Sequence, residues 1–395
     1  MKQFLLFSLL VSFNLDAQNL NSILESLHES HIVKTLEYQR DSEIAKNSLV
    51  SDYEAPQLGL SVAHAKDSVE DGVEYSLGIS QEIINPFSTS EKNKAQNNLD
   101  LAIKQETRHE IHLLELEIAS KYYAACISQE MSEQTQTLFQ EQSSRYLQLE
   151  NAYNLGEISK KDLLFNKLDL AKLKQKATLY TRVKNENFFT LQSALDNVNL
   201  ESIACDDLIA PQKEIHLKNL NRHNELKTIA YKQNASRALY QLNDSYLPSI
   251  TYGLMYEQEL DTKRYTASIN IPLSGMSTKQ QSLKTQQLML NSSYVEQEQM
   301  LRSEIKNNSK KLLTEVESMY TELDLLTREV LPLSKELLTL SKSAFREGEG
   351  TIMEYIDSSR SYSENLLEML EVKKSYYEKL FELYKTADKE YGEIK

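Results

Sequence analysis

The carboxylates Glu354 and Asp357 stand three apart in a helical stretch and so share one face of it. Repeated around an axis, such a pair makes rings of negative charge that attract cations and hinder anions. Each acid also has a plainer use. Thr351 and Glu354 have capping-box spacing, as do Ser159 and Asp162, so Glu354 and Asp162 can serve simply to close a helix start. Arg360, three beyond Asp357, is placed to neutralise it. Bond-making chemistry finds no foothold. The sequence has no HExxH, no CxxC, no glycine-rich phosphate loop, and no serine or cysteine in a strand-turn-helix setting. His28 with His31, and His109 with His112, have the spacing of a weak chelate, but solvated helix faces account for them. The chain therefore reads as no enzyme, with no catalytic residue, cofactor or resident metal expected.

The elements that hold these acids are long. Apolar or small residues recur at Leu312, Val316, Met319, Leu323, Leu326, Val330, Leu333, Leu337, Leu340 and Ala344, in alternating steps of four and three. That is a coiled-coil seam. It stops at Phe345-Arg-Glu-Gly348-Glu-Gly350, and a second seam starts at Ile352 and continues through Ile356, Ser359, Ser363, Leu366 and Leu370 to Tyr384. The glycines permit a tight turn between two antiparallel helices. Only 9 Gly and 6 Pro punctuate 395 residues, which favours long elements, and the helix from about 275 to 347 reads as unbroken.

Two stretches change to a period of two. Leu58, Leu60 and Val62 oppose Gln57, Ser61 and Ala63. After a charged loop, Val73, Tyr75, Leu77 and Ile79 oppose Glu74, Ser76, Gly78 and Ser80. The second pair puts Ile250, Tyr252, Leu254 and Tyr256 on one face, then Tyr265, Ala267, Ile269 and Ile271. Both are β-hairpins with an apolar face and a polar, small-residue face. Helices fill the remainder, from Leu20 to about Ser51 with Ser22 as cap, and from about Ser88 to Leu155. Others run from Ser159 to about Val198 and from about Gln212 to Asp244. Gly156 and Gly348 are 192 residues apart, and so are Pro56 and Pro248, so the pattern is a tandem duplication. The expected division is a first repeat over 18–210, with its hairpin at about 56–83 and helical turn at about 153–159. The second covers 211–395, with hairpin and turn at about 248–272 and 345–351.

Four strands are too few for a barrel, and an open edge in lipid leaves backbone groups unpaired, so closure needs further copies of the chain. Tyr75, Tyr252, Tyr256 and Tyr265 suit the aromatic girdles of a membrane barrel. The alternative is that the hairpins form a soluble sandwich in a periplasmic coiled-coil structural or adaptor protein. Helices of about 70 residues, roughly 100 Å, favour a channel that spans a compartment. Residues 1–17 have the basic start and apolar core of a signal peptide. A net charge of -14 and a mean hydropathy of -0.51 argue against nucleic acid and against a bundle of membrane helices. Cys126 and Cys205 read as free or buried rather than as a disulfide framework.

Three stretches carry a family resemblance: Val330-Leu-Pro332 with Ala344-Phe-Arg-Glu-Gly348 to Asp357; Ala152-Tyr-Asn-Leu-Gly156-Glu-Ile-Ser159 to Asp162; and Tyr246-Leu-Pro248. They resemble the TolC-type outer-membrane efflux proteins, and the likeness covers nearly the whole chain after residue 17. The resemblance implies an α+β membrane protein of the cell outer membrane. It would be a homotrimer whose twelve-stranded barrel sits in outer-membrane lipid and continues as a helical coiled-coil tunnel in the periplasm. It implies a passive exit duct for a tripartite efflux pump or a type I secretion system, joined to an inner-membrane pump through a periplasmic adaptor. It places Asp357, Glu354 and Asp162 at the narrowest part of the tunnel. The exposed tips Leu155, Gly156, Ile158, Glu347, Gly348 and Glu349 would meet the adaptor. Two departures stand out: no cysteine follows the signal peptide, and Gly350 replaces a basic residue that some members carry.

Overall fold

The computed structural model describes residues 17–48, 54–66, 71–84, 89–196, 200–205, 208–217, 222–243, 249–272 and 278–389. The apolar core of the expected signal peptide and Tyr246-Leu-Pro248 lie outside them. In chain order come α1 (Leu20–Leu27), α2 (His31–Ser48), β1 (Gln57–Lys66), β2 (Asp71–Ile84), α3 (Thr89–Asn154), α4 (Lys160–Ala194) and α5 (Asn224–Asn243). There follow β3 (Ser249–Gln258), β4 (Lys263–Asn270), α6 (Thr278–Leu325), a π-helical turn (Leu326–Val330), α7 (Leu331–Glu347) and α8 (Ile352–Thr386). The chain sorts into two compact units, one from residues 1–35, 111–218 and 307–395, the other from 36–110 and 219–306.

In the second unit the strands form one antiparallel sheet in the order β1-β2-β3-β4, leaving β1 and β4 as its edges. Register keeps the alternation in step across all four. Leu58 pairs with Ile79, Leu60 with Leu77, Leu77 with Tyr256, Ile79 with Leu254, and Tyr256 with Tyr265. The other face pairs Gly59 with Gly78 and Ser61 with Ser76, whose hydroxyls lie 2.7 Å apart. The helical part of this unit packs through small side chains, with Ala95, Ala102, Ala235 and Ala238 buried. Cross-helix polar contacts join them, such as the 3.1 Å Lys232–Glu106 ion pair.

The first unit holds the main core. Leu116, Tyr122, Tyr123, Ile127 and Met131 of α3 meet Leu173 and Leu191 of α4, Leu312 and Val316 of α6, and Leu370, Leu380, Phe381 and Tyr384 of α8. Across this core residues 200–205 and 208–217 run as a strap. Tyr123 accepts the Ile209 N–H at 2.6 Å and Tyr376 accepts the Gln212 N–H at 2.9 Å. Tyr122 and Tyr377 donate to the Ala204 and Ile209 carbonyls. Burial pushes the Tyr376, Tyr377 and Tyr384 hydroxyls above the ordinary tyrosine range.

Four expectations are corrected here. Cys126 and Cys205 form a disulfide with Cα atoms 5.6 Å apart, because the strap carries Cys205 back to α3 across 79 residues of sequence. The first helix is two: α1 is capped by Asn19, which accepts the Ser22 N–H at 2.9 Å, and α2 restarts after Ser30, which accepts the Val33 N–H at 3.2 Å. Residues 212–217 are not helical, with a bend at Lys213, and α5 begins only at Asn224.

The fourth correction concerns the long seam. Leu331 donates to the Leu326 carbonyl, a wide turn that opens where Pro332 has no N–H and its ring crowds the carbonyl of Arg328. One inserted residue rotates everything after it by about 100°. Leu312, Val316, Leu323 and Leu326 are accordingly buried, whereas Leu333, Leu337 and Leu340 are more than half exposed. Ser334 and Ser341 take their place toward α8, and Ser341 pairs with Ser358 at 2.8 Å.

Candidate functional site at the helix turns

Both helix turns close in the same way. Gly156 and Gly348 have φ of 79° and 76°, a region that costs glycine nothing. Gly156 donates to Tyr153 O at 3.0 Å and Glu157 to Ala152 O at 2.9 Å. In the second turn Gly348 donates to Phe345 O at 3.3 Å and Glu349 to Ala344 O at 2.9 Å. These are Schellman closures, which satisfy carbonyls that a helix end leaves free. Around them Leu155, Glu347 and Glu349 are exposed and Ile158 is half-buried.

The three acids singled out from sequence fare differently. Glu354 completes a capping box: its carboxylate accepts the Thr351 N–H at 2.9 Å, and its own N–H reaches Thr351 Oγ1 at 3.2 Å. Asp162 donates its N–H to Ser159 Oγ at 3.2 Å and accepts that hydroxyl at 2.7 Å. Asp357 is exposed and lies 3.2 Å from Arg360. Arg360 also grips Asp169 of α4, with Nε at 2.9 Å, and so ties α4 to α8. Nothing in the sequence spacing of one helix could have flagged Asp169, because the contact joins residues 191 apart.

Sequence reasoning also missed a wider pattern. Every exposed residue of α8 is a carboxylate: Glu354, Asp357, Glu364, Glu368, Glu371, Glu378 and Glu382. The spacing keeps them on one face, the side turned away from the core. Toward the C-terminal half the stripe is partly neutralised, with Glu382 at 2.7 Å from Lys379 and Glu378 at 3.9 Å from Lys374. Glu371 accepts the Tyr180 hydroxyl at 2.8 Å, and burial together with that bond pushes the Tyr180 hydroxyl up. The signal was legible as seven acids at helical spacing, once the opposite face is known to be core.

In the sheet, Tyr75, Tyr256 and Tyr265 come together, with ring centroids 6.2 and 5.1 Å apart across the first and second pairs. Tyr252 stands on the same face, opposite Gln81 and Ile269. The whole apolar face lies open: Leu60, Val62, Leu254 and Ile269 are each more than 60% exposed. No helix among the described residues is long and apolar enough to cross a membrane. The histidine pairs do not act as pairs. His28 meets Glu115 at 3.3 Å, the His109 ring lies tilted 5.9 Å from that of His223, and His112 is buried 3.7 Å from Asp388, so it is not the solvated residue expected. Among the described residues no cluster of three His, Cys, Asp or Glu could hold a metal.

No family model and no curated protein matches the chain. Solved structures do. A membrane protein from Pseudomonas aeruginosa superposes with a TM-score of 0.77 at 12% identity, covering 93% of this chain and 90% of that one. The outer-membrane channel OprN gives 0.75 at 13% identity, covering 93% and 89%. The outer membrane protein VceC of Vibrio cholerae gives 0.74 at 11% identity, covering 93% and 95%. At such identities the likeness establishes the fold.

Proposed function

We propose, from the premise that this chain has the protomer fold of the TolC-type outer-membrane channels, that it is a passive exit duct in the outer membrane. Three copies would contribute four strands each to one barrel, β4 of one pairing with β1 of the next. The supporting observation is the sheet itself, which has two free edges and an apolar face open along all four strands. In lipid those edges must pair, and that face needs no water. The Cys126–Cys205 disulfide supports export, since such bonds persist in oxidising compartments. We read the two halves, 18–210 and 211–395, as tandem copies. β1 and β3 start 192 residues apart, as do α4 and α8, and each of those pairs is equal in length.

The duct would serve an efflux pump or a type I secretion system through a periplasmic adaptor that meets the turns around Gly156 and Gly348. Transport through it needs no bond chemistry. Asp357 is the residue we assign to the constriction, with the α8 carboxylates as an electronegative track leading from it. Glu354 and Asp162 stand beside it, their carboxylates engaged in capping. The tyrosines Tyr75, Tyr256 and Tyr265 form one aromatic girdle, and Tyr252 belongs to the other. Planar-bilayer conductance of the detergent-purified protein tests this reading. A cation-selective conductance that loses selectivity in Asp357→Ala is expected. No conductance, together with solubility in the absence of detergent, sinks the channel and leaves a soluble periplasmic coiled-coil protein.

A further inference from the structure

A cavity of about 860 Å³ opens between the last turns of α3 and the length of α7, floored by Tyr355 of α8. Its walls carry four cations, Arg145, Lys335, Lys342 and Arg346, against one carboxylate, Glu141. In a chain of net charge -14 this is an unusual concentration. Arg145 is 13% exposed; its guanidinium lies 4.0 Å from Glu141 and 5.8 Å above the Tyr355 ring. Lys335, Lys342 and Arg346 are exposed, and among the described residues none of them is in an ion pair. They follow one another at steps of seven and four along one face of α7, over roughly 16 Å. The carboxylate stripe of α8 lies on the reverse of the same helix pair, since Tyr355 and Asp357 are two residues apart and thus about 200° round the helix. One surface of α7 and α8 is therefore basic, the other acidic.

We infer that this cleft docks an acid-faced α-helix of a partner protein, laid along α7 with carboxylates over Lys335, Lys342 and Arg346. Charge complementarity and the spacing select that occupant. A row of cations at helical intervals matches acids at helical intervals, whereas a single small anion meets only one or two of them. The inference rests on the channel reading and deepens it: with Asp357 facing the lumen, the cleft faces outward, and the adaptor's contact there is acidic.

The probe is a labelled synthetic amphipathic helix with glutamates at steps of four and three, and a second peptide with glutamines in their place. Binding to the full-length, detergent-purified protein is read by fluorescence anisotropy. The glutamate peptide should bind, weaken as salt rises, and lose about tenfold or more in affinity to Lys342→Glu/Arg346→Glu. Lys342→Gln/Arg346→Gln should lose less, and Lys310→Glu on α6, with a comparable change in charge, should bind as wild type does. Equal binding by the glutamine peptide, or by the double charge reversal, overturns the docking site. Displacement by inorganic phosphate at matched ionic strength overturns it in favour of a small-anion site. Loss of the oligomer in the charge-reversed variant overturns it in favour of a contact between copies. Conductance of the same preparation separates the two readings: a pore without peptide binding fails the cleft alone, and absence of a pore fails the channel.

Discussion

The turn at Gly156 and the turn at Gly348 make the same backbone closure from different side chains. In the first, Leu155 and Ile158 give the tip an apolar surface; in the second, Glu347 and Gly350 stand at the corresponding positions, 192 residues on. Gly350 changes more than surface. Its N–H adds a 3.1 Å bond to Ala344 O, and a Cβ there would come within 3.0 Å of the Ala344 Cβ. The second turn is thus folded more tightly, and Glu354, one methylene longer than Asp162, reaches back to the Thr351 N–H. Beyond the turns the divergence continues: Phe165 and Leu168 of α4 are exposed where α8 has Asp357 and Arg360. One closure thus serves an apolar surface at the first turn and a charged surface at the second.

Exchanging residues between the turns should break this asymmetry. Gly350→Ile, which imports the residue of the first turn, should destabilise by about 2–3 kcal/mol through crowding. Ile158→Gly should cost about 0.5 kcal/mol or less, measured by thermal unfolding of the purified protein. Arg360→Ala should cost about 2 kcal/mol because it strands the largely covered Asp169 carboxylate, while Leu168→Ala should stay within about 0.5 kcal/mol. Equal losses in those two variants would show that the α4–α8 link carries no special weight. Gly156→Ala and Gly348→Ala should each cost about 1 kcal/mol, alike in both turns, since nothing lies within 4 Å of either Cβ and only the positive φ opposes the change. Thr351→Ala should exceed Ser159→Ala by about 0.5 kcal/mol, because only the former breaks a reciprocal capping box. The helical signal on heating resolves both.

Much of the fold was legible because the relevant signals are local. The alternation from Leu58 to Val62 and from Val73 to Ile79 marked two strands, and the pairing of Leu58 with Ile79 and Leu60 with Leu77 keeps their apolar residues on one face. Glycine at 156 and 348, followed by Ser159 and Thr351, marked both turns to the residue. The α8 seam held from Ile356 to Tyr384, with Ser359 and Ser363 buried as its spacing required. The candidate site was legible in part. Capping-box spacing identified the bonds of Glu354, and the three-residue step from Asp357 identified Arg360 as its partner.

What the sequence determined by itself were features carried by neighbours along the chain: the period of each strand and seam, the caps at Ser159 and Thr351, the turn glycines and the face on which an acid stands. Only the tertiary structure decided the features that depend on phase or on residues far apart. A proline at 332 warns of a break but does not say that the helix will absorb it as a π turn, which rotates Leu333, Leu337 and Leu340 away from α8. Two cysteines 79 apart cannot announce a bond until the strap crosses α3 and its backbone is held by Tyr122 and Tyr123. Asp169 finds Arg360, and four cations surround one cleft, for the same reason: side chains meet where packed helices bring them, and no local pattern encodes which helices those are.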